Sequence, residues 1–345
     1  VITAAALKNL DETTTGSIDA SSVTSITGSF LDLSTVYGSS GITGLGNEAV
    51  TLSDPSLVSD LNTLDAATTG IITAIVTETD IPTLKTLTDI NNNNAYSITI
   101  SDTTATALDL NILDSNLTAD INADSVTTIE GLASDINISY ASDGITGLGN
   151  EAITLTNSNV QVLDLNVLDN NTTGSIDANN LTSISGLVND LNIAYASDGI
   201  TGLGNESINL TDITTSHGSI QILSSNTTGE INADTLTEVT GTLEELKITY
   251  RTKNIKNLPI KDTDNNSIVD YVQNYQIFDN GNAITVNSSS GLPYSTDDTY
   301  IHSISKAVKD TTNDSYGLLV EGEGIFDEKY SVWSTNSSGL ITNKT

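Results

Sequence analysis

Apolar and polar positions follow two alternating patterns along the first 250 residues. In stretches such as VTSIT at 23–27 and AVTL at 49–52, apolar and polar residues alternate, which predicts short half-buried strands. In SLVSDLNTLD at 56–65, apolar residues recur every three or four positions, which predicts one or two helical turns. We therefore expect short strands and short helical turns to follow each other along the chain.

The pattern itself returns about every 55 residues. TTGSIDA at 14 recurs as TTGIITA at 68, LTADINA at 117, TTGSIDA at 172 and TTGEINA at 227. Five units, the second shorter and diverged, thus span residues 1–250, and each divides into two halves of about 27 residues.

A 27-residue half cannot bury its apolar face alone, but it can when it is stacked on copies of itself. We predict a mainly β fold for residues 1–250, a right-handed parallel β-solenoid with short helical turns and about 27 residues per coil. Five small β-rich domains in a row are the alternative. Each of these would have to build a core from about 55 residues with few aromatics and no disulfide.

Composition changes near residue 250. Residues 251–345 contain eight basic and 12 acidic side chains and nine of the 15 aromatics. The runs NAITVNSSSGLPY, YGLLVEGEGIF and KYSVWSTNSSGLI read as strands separated by turns. We predict a small C-terminal β-rich domain over 251–345, or a cap on the end of the solenoid.

The net charge of -33 narrows the range of partners. Nucleic acid and anionic membrane surfaces are poor partners, because both are bound by clustered Lys and Arg. No run of about 18 apolar residues occurs, so no membrane insertion is expected. The chain is expected to be a processed product or an internal segment of a longer protein.

A glycine-rich stretch, GITGLGNEAV at 41–50, returns at 144 and 199 and fits the G-x-G-x-x-A pattern of a dinucleotide-binding loop. Such a loop needs a helix directly after it, whereas here a strand-like run follows. Glu48 would also place a carboxylate beside a bound phosphate. We therefore interpret Gly44 and Gly46 as turn positions that need a positive φ or a close approach between coils.

Aspartates recur with the repeat. They could form catalytic pairs or a calcium ladder, but their periodicity favours the capping of turns and short helices. The residues concerned are Asp19, Asp177, Asp65, Asp114 and Asp169.

The best metal candidate is DTDNNSIVD at 262–270. Asp262, Asp264, Asn266 and Asp270 fall at positions 1, 3, 5 and 9 of an EF-hand-type loop, which predicts a Ca²⁺ site. The usual glycine and glutamate at positions 6 and 12 are replaced by serine and glutamine, and a polar turn is the competing interpretation.

No catalytic constellation is visible. His217 and His302 lie far apart without a nucleophile nearby, cysteine is absent, and no G-x-S-x-G motif occurs. The C-terminal aromatics could stack on sugars, although a small β core needs them too and is the more common use. These aromatics are Tyr271, Tyr275, Tyr294, Tyr300 and Trp333.

Several segments carry a resemblance. They are LNTLDAATTG, LNVLDNNTTGSIDA, NDLNIAYASDGITGLGNESI and LLVEGEGIFDEKYSVWSTNSSGLIT. They resemble very large, repeat-rich cell-surface proteins of marine cyanobacteria and other marine bacteria. The likeness covers about residues 1–250 and, less specifically, 316–345. It implies an exported surface, adhesion, motility-associated or extracellular-matrix protein without catalytic residues.

Taken together, these observations predict a non-enzymatic extracellular structural protein at the cell surface. It would be a solenoid spacer or filament subunit that self-associates head to tail through its open ends or its C-terminal domain. A carbohydrate-binding adhesin that recognises a surface polysaccharide is the alternative. A polysaccharide-degrading enzyme or a phage tailspike is the third interpretation.

Overall fold

The computed structural model describes residues 1–259, 275–294, 302–322 and 330–344. The chain forms two compact units. One consists of Val1–Leu181 with Ser197–Leu203, and the other of Thr182–Ala196 with Gly204–Thr345.

Ten helices lie in the described part of the chain, and all but one are eight to ten residues long. They are α1 Ala4–Thr13, α2 Phe30–Gly38, α3 Val58–Asp65, α4 Ile81–Leu84, α5 Ala107–Asn116, α6 Ala133–Ala141, α7 Val162–Asn171, α8 Val188–Ala196, α9 His217–Asn226 and α10 Leu243–Arg251. Helix accounts for 28% of the described residues and strand for 32%, so the fold is mixed rather than mainly β.

Helices α1, α2, α5, α9 and α10 exceed the predicted one or two turns, and polar residues cap the first turn of each. Ser29 Oγ accepts a hydrogen bond from the Asp32 amide at 3.3 Å, and Thr106 Oγ1 accepts one from the Asp109 amide at 3.1 Å. The cap satisfies a free amide, and the aspartate interacts favourably with the positive end of the helix dipole. Apolar spacing alone misses such a polar first turn.

The strands of the first unit are short. They are β1 Ile2–Thr3, β2 Ile18–Asp19, β3 Ser25–Gly28, β4 Ile42–Thr43, β5 Ala49–Leu52, β6 Ile72–Ile75, β7 Ala95–Thr99, β8 Thr104–Thr106, β9 Ile121–Asn122, β10 Thr128–Gly131, β11 Ile145–Thr146, β12 Ala152–Leu155, β13 Asn159–Gln161, β14 Ile176–Asp177 and β16 Ile200–Thr201. Parallel pairing gives a seven-stranded sheet β1-β3-β5-β6-β7-β9-β11, a five-stranded sheet β16-β14-β12-β10-β8 and the pair β2-β4.

The part of the second unit before residue 260 repeats this arrangement with six strands. They are β15 Ser183–Gly186, β17 Ser207–Leu210, β18 Thr214–Ser216, β19 Ile231–Asn232, β20 Glu238–Thr240 and β21 Ile255–Lys256. The order β15-β17-β19-β21 and the pair β18-β20 are again parallel. The prediction of parallel pairing between repeats is therefore confirmed in both units.

The spacing of paired strands is shorter than the predicted 27 residues. Val50 pairs with Ile26, 24 positions earlier, and with Ile72, 22 positions later. The helices keep the longer spacing, because α5, α6 and α7 begin at 107, 133 and 162, which are 26 and 29 positions apart. Residues 104–155 form one repeat unit, which contains five strands and two helices. Neighbouring strands in a sheet therefore come from different places in the repeat unit, which explains the difference in spacing.

Buried aliphatic side chains stack along each sheet. Ile129, Ile153 and Ile176 are paired in register and at most 1% exposed. On the helical side, Leu110 and Leu113 are buried on the inner face of α5. Each half-unit thus covers the apolar face of the next, which is the main source of stability in stacked repeats.

Strands beyond residue 275 pair in the antiparallel sense. They are β22 Gln276–Asp279, β23 Asn282–Thr285, β24 His302–Asp310, β25 Ser315–Gly322, β26 Tyr330–Thr335 and β27 Ile341–Lys344. The first two form a hairpin, and the other four form a sheet in sequence order. The predicted C-terminal β structure is confirmed, whereas the domain boundary near residue 250 stays a prediction.

Candidate functional site

The glycine loops have the backbone predicted for them. Gly44 has φ +86° and Gly46 has φ +129°. A Cβ at Gly44 would lie 2.7 Å from the Ser21 amide nitrogen. Gly44 therefore has both a positive φ and a close approach to the preceding half-unit, which only glycine tolerates without strain.

Each loop binds the carboxylate of its own glutamate. Glu151 is fully buried, and its Oε2 accepts hydrogen bonds from the amides of Gly149 at 2.8 Å and Asn150 at 3.1 Å and from the Tyr140 hydroxyl at 2.7 Å. Strand β12 follows directly. The amides that a phosphate would need are thus already occupied by an anion, and no helix dipole supports the loop, so the scaffold-turn interpretation is favoured.

The recurring TTG motif fixes the same glutamate from the next unit. Thr172 Oγ1 donates to the Glu151 carbonyl oxygen at 2.8 Å and accepts from the Gly174 amide at 3.0 Å. A Cβ at Gly174 would overlap that carbonyl oxygen. Thr68 with Gly70 and Thr227 with Gly229 repeat the arrangement on Glu48 and Glu206.

The loop tyrosines are held in their neutral form. Burial, together with the hydrogen bond to Glu48, Glu151 or Glu206, raises the pKa of Tyr37, Tyr140 and Tyr195 far above the ordinary tyrosine value. A protonated phenol donates to the buried carboxylate, so the pair carries a single negative charge that neutral donors stabilise.

Two of the recurring aspartates act in turns, as their periodicity indicated. Asp19 and Asp177 each accept a hydrogen bond from the amide two positions later, both at 3.0 Å. Asp169 accepts a 2.7 Å hydrogen bond from Ser197 Oγ, and Asp114 lies against Gly144. The capping interpretation is confirmed for Asp19 and Asp177, whereas for Asp114 and Asp169 it stays a prediction.

A ladder of asparagines joins neighbouring helices, which the sequence interpretation missed. Asn111 Nδ2 donates to the Asp135 carbonyl oxygen at 2.9 Å, and Asn137 Nδ2 donates to that of Asp164 at 3.0 Å. Ser139 Oγ donates to Asn111 Oδ1 at 2.7 Å. The signal was the recurring triplet Asp-Leu-Asn or Asp-Ile-Asn in the first turns of the helices.

The second of the five repeat units departs from this pattern. From its TTG at 68 to Tyr96 there are 28 positions, whereas from LTA at 117 to the equivalent Glu151 there are 34, so six residues are missing. The sequence DINNNNAYSI at 89–98 occupies the place of GITGLGNEAI. Asn92 has a left-handed backbone, with φ +50°, in the turn that precedes β7.

A buried polar network replaces the glycine loop in this irregular half-unit. Asp65 accepts hydrogen bonds from Thr88 Oγ1 at 2.6 Å, the Ile90 amide at 3.0 Å and Asn94 Nδ2 at 2.8 Å. Asp89 accepts from the Asn94 amide at 3.2 Å and from Thr118 Oγ1 at 2.8 Å. Both carboxylates are therefore stabilised by neutral donors, which extends the structural interpretation to Asp65.

An open groove of about 870 Å³ lies over this irregular half-unit. The outer faces of β6 and β7 form its floor with Thr73, Ile75 and Ser97, and Asn93 and Asp120 border it. We name this feature the β6–β7 groove. Its volume falls in the range of about 300–1,000 Å³ typical of small-molecule sites.

The predicted Ca²⁺ ligands Asp262, Asp264, Asn266 and Asp270 lie outside the described residues. Within the described ranges, no group of three His, Asp or Glu side chains is placed to hold a metal ion. His217 Nδ1 lies 2.8 Å from Thr249 Oγ1, a contact between α9 and α10, and His302 begins β24.

The described C-terminal aromatics belong mainly to the core of the antiparallel sheets. Tyr275 and Trp333 are 8% and 6% exposed and cluster with Leu318 and Val286. The rings of Tyr294 and Trp333 meet edge to face at 5.4 Å, and Lys344 Nζ lies 4.0 Å from the Trp333 ring centre. This favours the core interpretation for Tyr275 and Trp333. Tyr271 and Tyr300 lie outside the described residues.

No protein-family model, curated protein or solved structure matches this chain. Nor does any helix in the described ranges combine the length and apolar character needed to cross a membrane.

Proposed function

We propose that the chain is a non-enzymatic structural protein of the cell surface, a solenoid spacer or filament subunit. The observation that carries the proposal is the in-register parallel pairing of one half-unit with the next. Buried isoleucines stack along the sheets, and asparagine and threonine side chains donate to backbone carbonyl groups of adjacent half-units. Functional groups that recur with the period in structural contacts support a scaffold rather than a catalytic centre.

The same pairing supports a right-handed parallel solenoid as the architecture of the repeats. Strands of consecutive half-units pair side by side, and α5, α6 and α7 are neighbours in sequence order. A solenoid leaves a strand edge at each end. Strand β1 is paired on one side only within the described chain, so its other edge can accept a further coil, either from the same polypeptide or from another copy.

Head-to-tail pairing of such edges gives a filament when the rotation between subunits does not close a ring. The high negative charge suits an extracellular protein that works in salt, where screening shortens the range of repulsion between subunits to about 8 Å or less. Ca²⁺ bound by residues 262–270, and a surface polysaccharide as partner, remain parts of this proposal.

Electron microscopy of the purified chain in seawater-like salt tests assembly directly. We expect filaments, and we expect Ile2→Lys at the β1 edge to abolish them, because a lysine there disfavours strand addition. Leu108→Lys is the matched control, since Leu108 is 60% exposed on α5 and away from that edge. Single particles for the parent chain under all salt conditions would rule out the filament and leave the spacer.

A further inference from the structure

The sixth residue of each helix from α5 to α10 is a β-branched aliphatic side chain. These residues are Ile112, Ile138, Val167, Ile193, Ile222 and Ile248. Five of them are 41–58% exposed, and Ile112 is half-buried. We name these six residues the aliphatic stripe.

We propose that the aliphatic stripe pairs laterally with the stripe of a second copy of this chain. The function proposed above concerns pairing at the ends of the solenoid, whereas this inference concerns the helical side of the repeats. It therefore adds a second surface for self-association, and it can be tested whether or not the ends form filaments.

Neighbouring helices bring the stripe residues of each unit into one row. Asn111, the fifth residue of α5, donates to the Asp135 carbonyl oxygen of α6, and Asn137, the fifth residue of α6, donates to that of Asp164 in α7. In the other unit, Asn192 of α8 makes the same contact with α9. Because the helices pack in one constant register, their sixth residues are also aligned.

The fold does not require an aliphatic residue at this position. The sixth residues of α1, α2 and α3 are Asn9, Thr35 and Thr63, all exposed. The fourth helical position, in contrast, is a buried leucine or isoleucine in both groups, as in Leu33 and Ile136. The core therefore explains the fourth position but not the stripe, and exposed apolar rows of this kind mark interaction surfaces.

The charge pattern points to the same surface. The chain carries a net charge of -33, yet none of the exposed residues of α5 to α9, which the structure describes in full, is charged. The aspartates of these helices are half-buried and lie near the helix ends. Exposed carboxylates lie instead on strands and turns, as at Glu130, Glu238 and Asp143.

A second copy is the partner that fits this surface best. Two acidic chains repel each other, so they can approach most closely where neither exposes a charge. A cationic partner would instead prefer the strands and turns, where exposed carboxylates lie. The stripe also repeats with the spacing of the helices, and a second copy has the same spacing, so its side chains can fit between those of the first along the whole row.

The size of the surface predicts weak pairing. Helices α5, α6 and α7 are nine or ten residues long, so together they present a face of about 400 Å². A stable interface uses about 800 Å² per partner. One such face therefore gives a weak dimer, whereas many faces act together when copies are joined end to end.

Sedimentation velocity of the full chain with Ile2→Lys measures lateral pairing by itself, because that change is expected to prevent pairing at the ends. We expect a monomer–dimer equilibrium that becomes tighter from about 0.1 M to about 1 M NaCl, since the Debye length falls from about 10 Å to about 3 Å and repulsion is screened. A dimer that dissociates as salt is raised would be held by charges and would overturn the proposal.

Two pairs of lysine substitutions locate the surface in this background. Ile138→Lys with Ile193→Lys should weaken the dimer at least tenfold. Thr35→Lys with Thr63→Lys is the matched control, because it changes the net charge equally and places lysines at the same position of α2 and α3. This control should leave dimerisation unchanged.

Ile138→Thr with Ile193→Thr removes the aliphatic surface without adding charge, and it copies the residues that α2 and α3 already carry. It should also weaken the dimer, with a melting temperature close to that of the parent. Monomers at every protein and salt concentration, or equal effects of the two lysine pairs, would overturn the proposal. A chain that dimerises but never forms filaments would support lateral pairing and contradict assembly through the ends.

Discussion

The hydroxyl of Tyr140 donates a 2.7 Å hydrogen bond to the buried carboxylate of Glu151, and Tyr195 makes the equivalent bond to Glu206 at 2.8 Å. Each glutamate also accepts loop amides, while the next TTG motif holds its carbonyl oxygen. A neutral phenol and backbone amides therefore stabilise a charge that has no salt-bridge partner among the described residues. This contact makes the repeat sensitive to pH.

Alkaline pH should destabilise the repeats through these tyrosines. Their pKa is raised in the folded state, so above the ordinary value of about 10 the unfolded chain loses protons that the folded chain retains. The stabilisation is fully present below pH 10 and is lost as the pH rises. We expect the melting temperature to fall from about pH 10 upward. The free energy of unfolding should decline by at most about 1.4 kcal/mol per tyrosine and pH unit.

Replacement of the titrating groups checks this origin. Tyr140→Phe with Tyr195→Phe should be less stable than the parent at pH 8, because the glutamates lose donors, but should show a shallower decline above pH 10. Thermal melts from pH 8 to 11.5 measure both. A decline that is as steep in the double variant would show that other groups cause it.

Gly174→Ala should be strongly destabilising. Its Cβ would overlap the Glu151 carbonyl oxygen, a backbone atom that cannot rotate away, so we expect a loss of about 1–3 kcal/mol in chemical denaturation. Gly218→Ala is the control, because Gly218 lies in α9 with its nearest neighbour, Ser216 Oγ, 3.9 Å from the new Cβ. That change should be neutral or stabilising by up to about 1 kcal/mol. Equal effects of the two would contradict the close contact between the TTG motif and the Glu151 carbonyl oxygen.

These contacts show which parts of the structure the sequence could reveal. The alternation around Ile26 and Val50 was enough to predict parallel pairing, since equivalent apolar residues must stack in a repeat. The full length of α5 was missed, because its first turn is stabilised by the polar pair Thr106 and Asp109. The β6–β7 groove was missed as well, because alternation along a strand predicts which side chains face outward but not the shape of the surface that they form.

The asparagine ladder should contribute measurably to stability. Asn111→Ala removes two hydrogen bonds, the one from its amide to the Asp135 carbonyl oxygen and the one from Ser139 Oγ to its Oδ1, so we expect a loss of about 1–3 kcal/mol. Asn116→Ala, at the exposed end of the same helix, should change stability by less than about 0.5 kcal/mol. Urea denaturation of both variants distinguishes a structural ladder from a solvated polar face.

Trp333→Ala should unfold the C-terminal sheets rather than remove a sugar-stacking surface. Trp333 is 6% exposed and packs on Tyr294, so its truncation should cost about 3–5 kcal/mol. Limited proteolysis should then cleave after residue 275, whereas Val332→Ala, at a 54% exposed position of the same strand, should remain resistant. A folded Trp333→Ala protein would contradict the core role.

Calcium should raise the melting temperature if Asp262, Asp264, Asn266 and Asp270 form the predicted site, because a ligand that binds only the folded state stabilises it by mass action. At a Ca²⁺ concentration 100 times Kd, the gain is about 2.7 kcal/mol. We compare melts in about 5 mM CaCl₂, in MgCl₂ at equal concentration and in chelator. This comparison separates specific binding from charge screening.

Asp264→Asn with Asp270→Asn should abolish the calcium increment and leave the melt in chelator unchanged. Asp54→Asn is the matched control, because Asp54 is an exposed acidic residue near the start of the chain. This variant should keep the rise in melting temperature with calcium, since removal of one remote charge from a total of -33 changes the overall electrostatic field little. Identical melts of the parent chain in calcium and in chelator would remove the site. An increment that survives in the double variant would place calcium elsewhere on the acidic repeats.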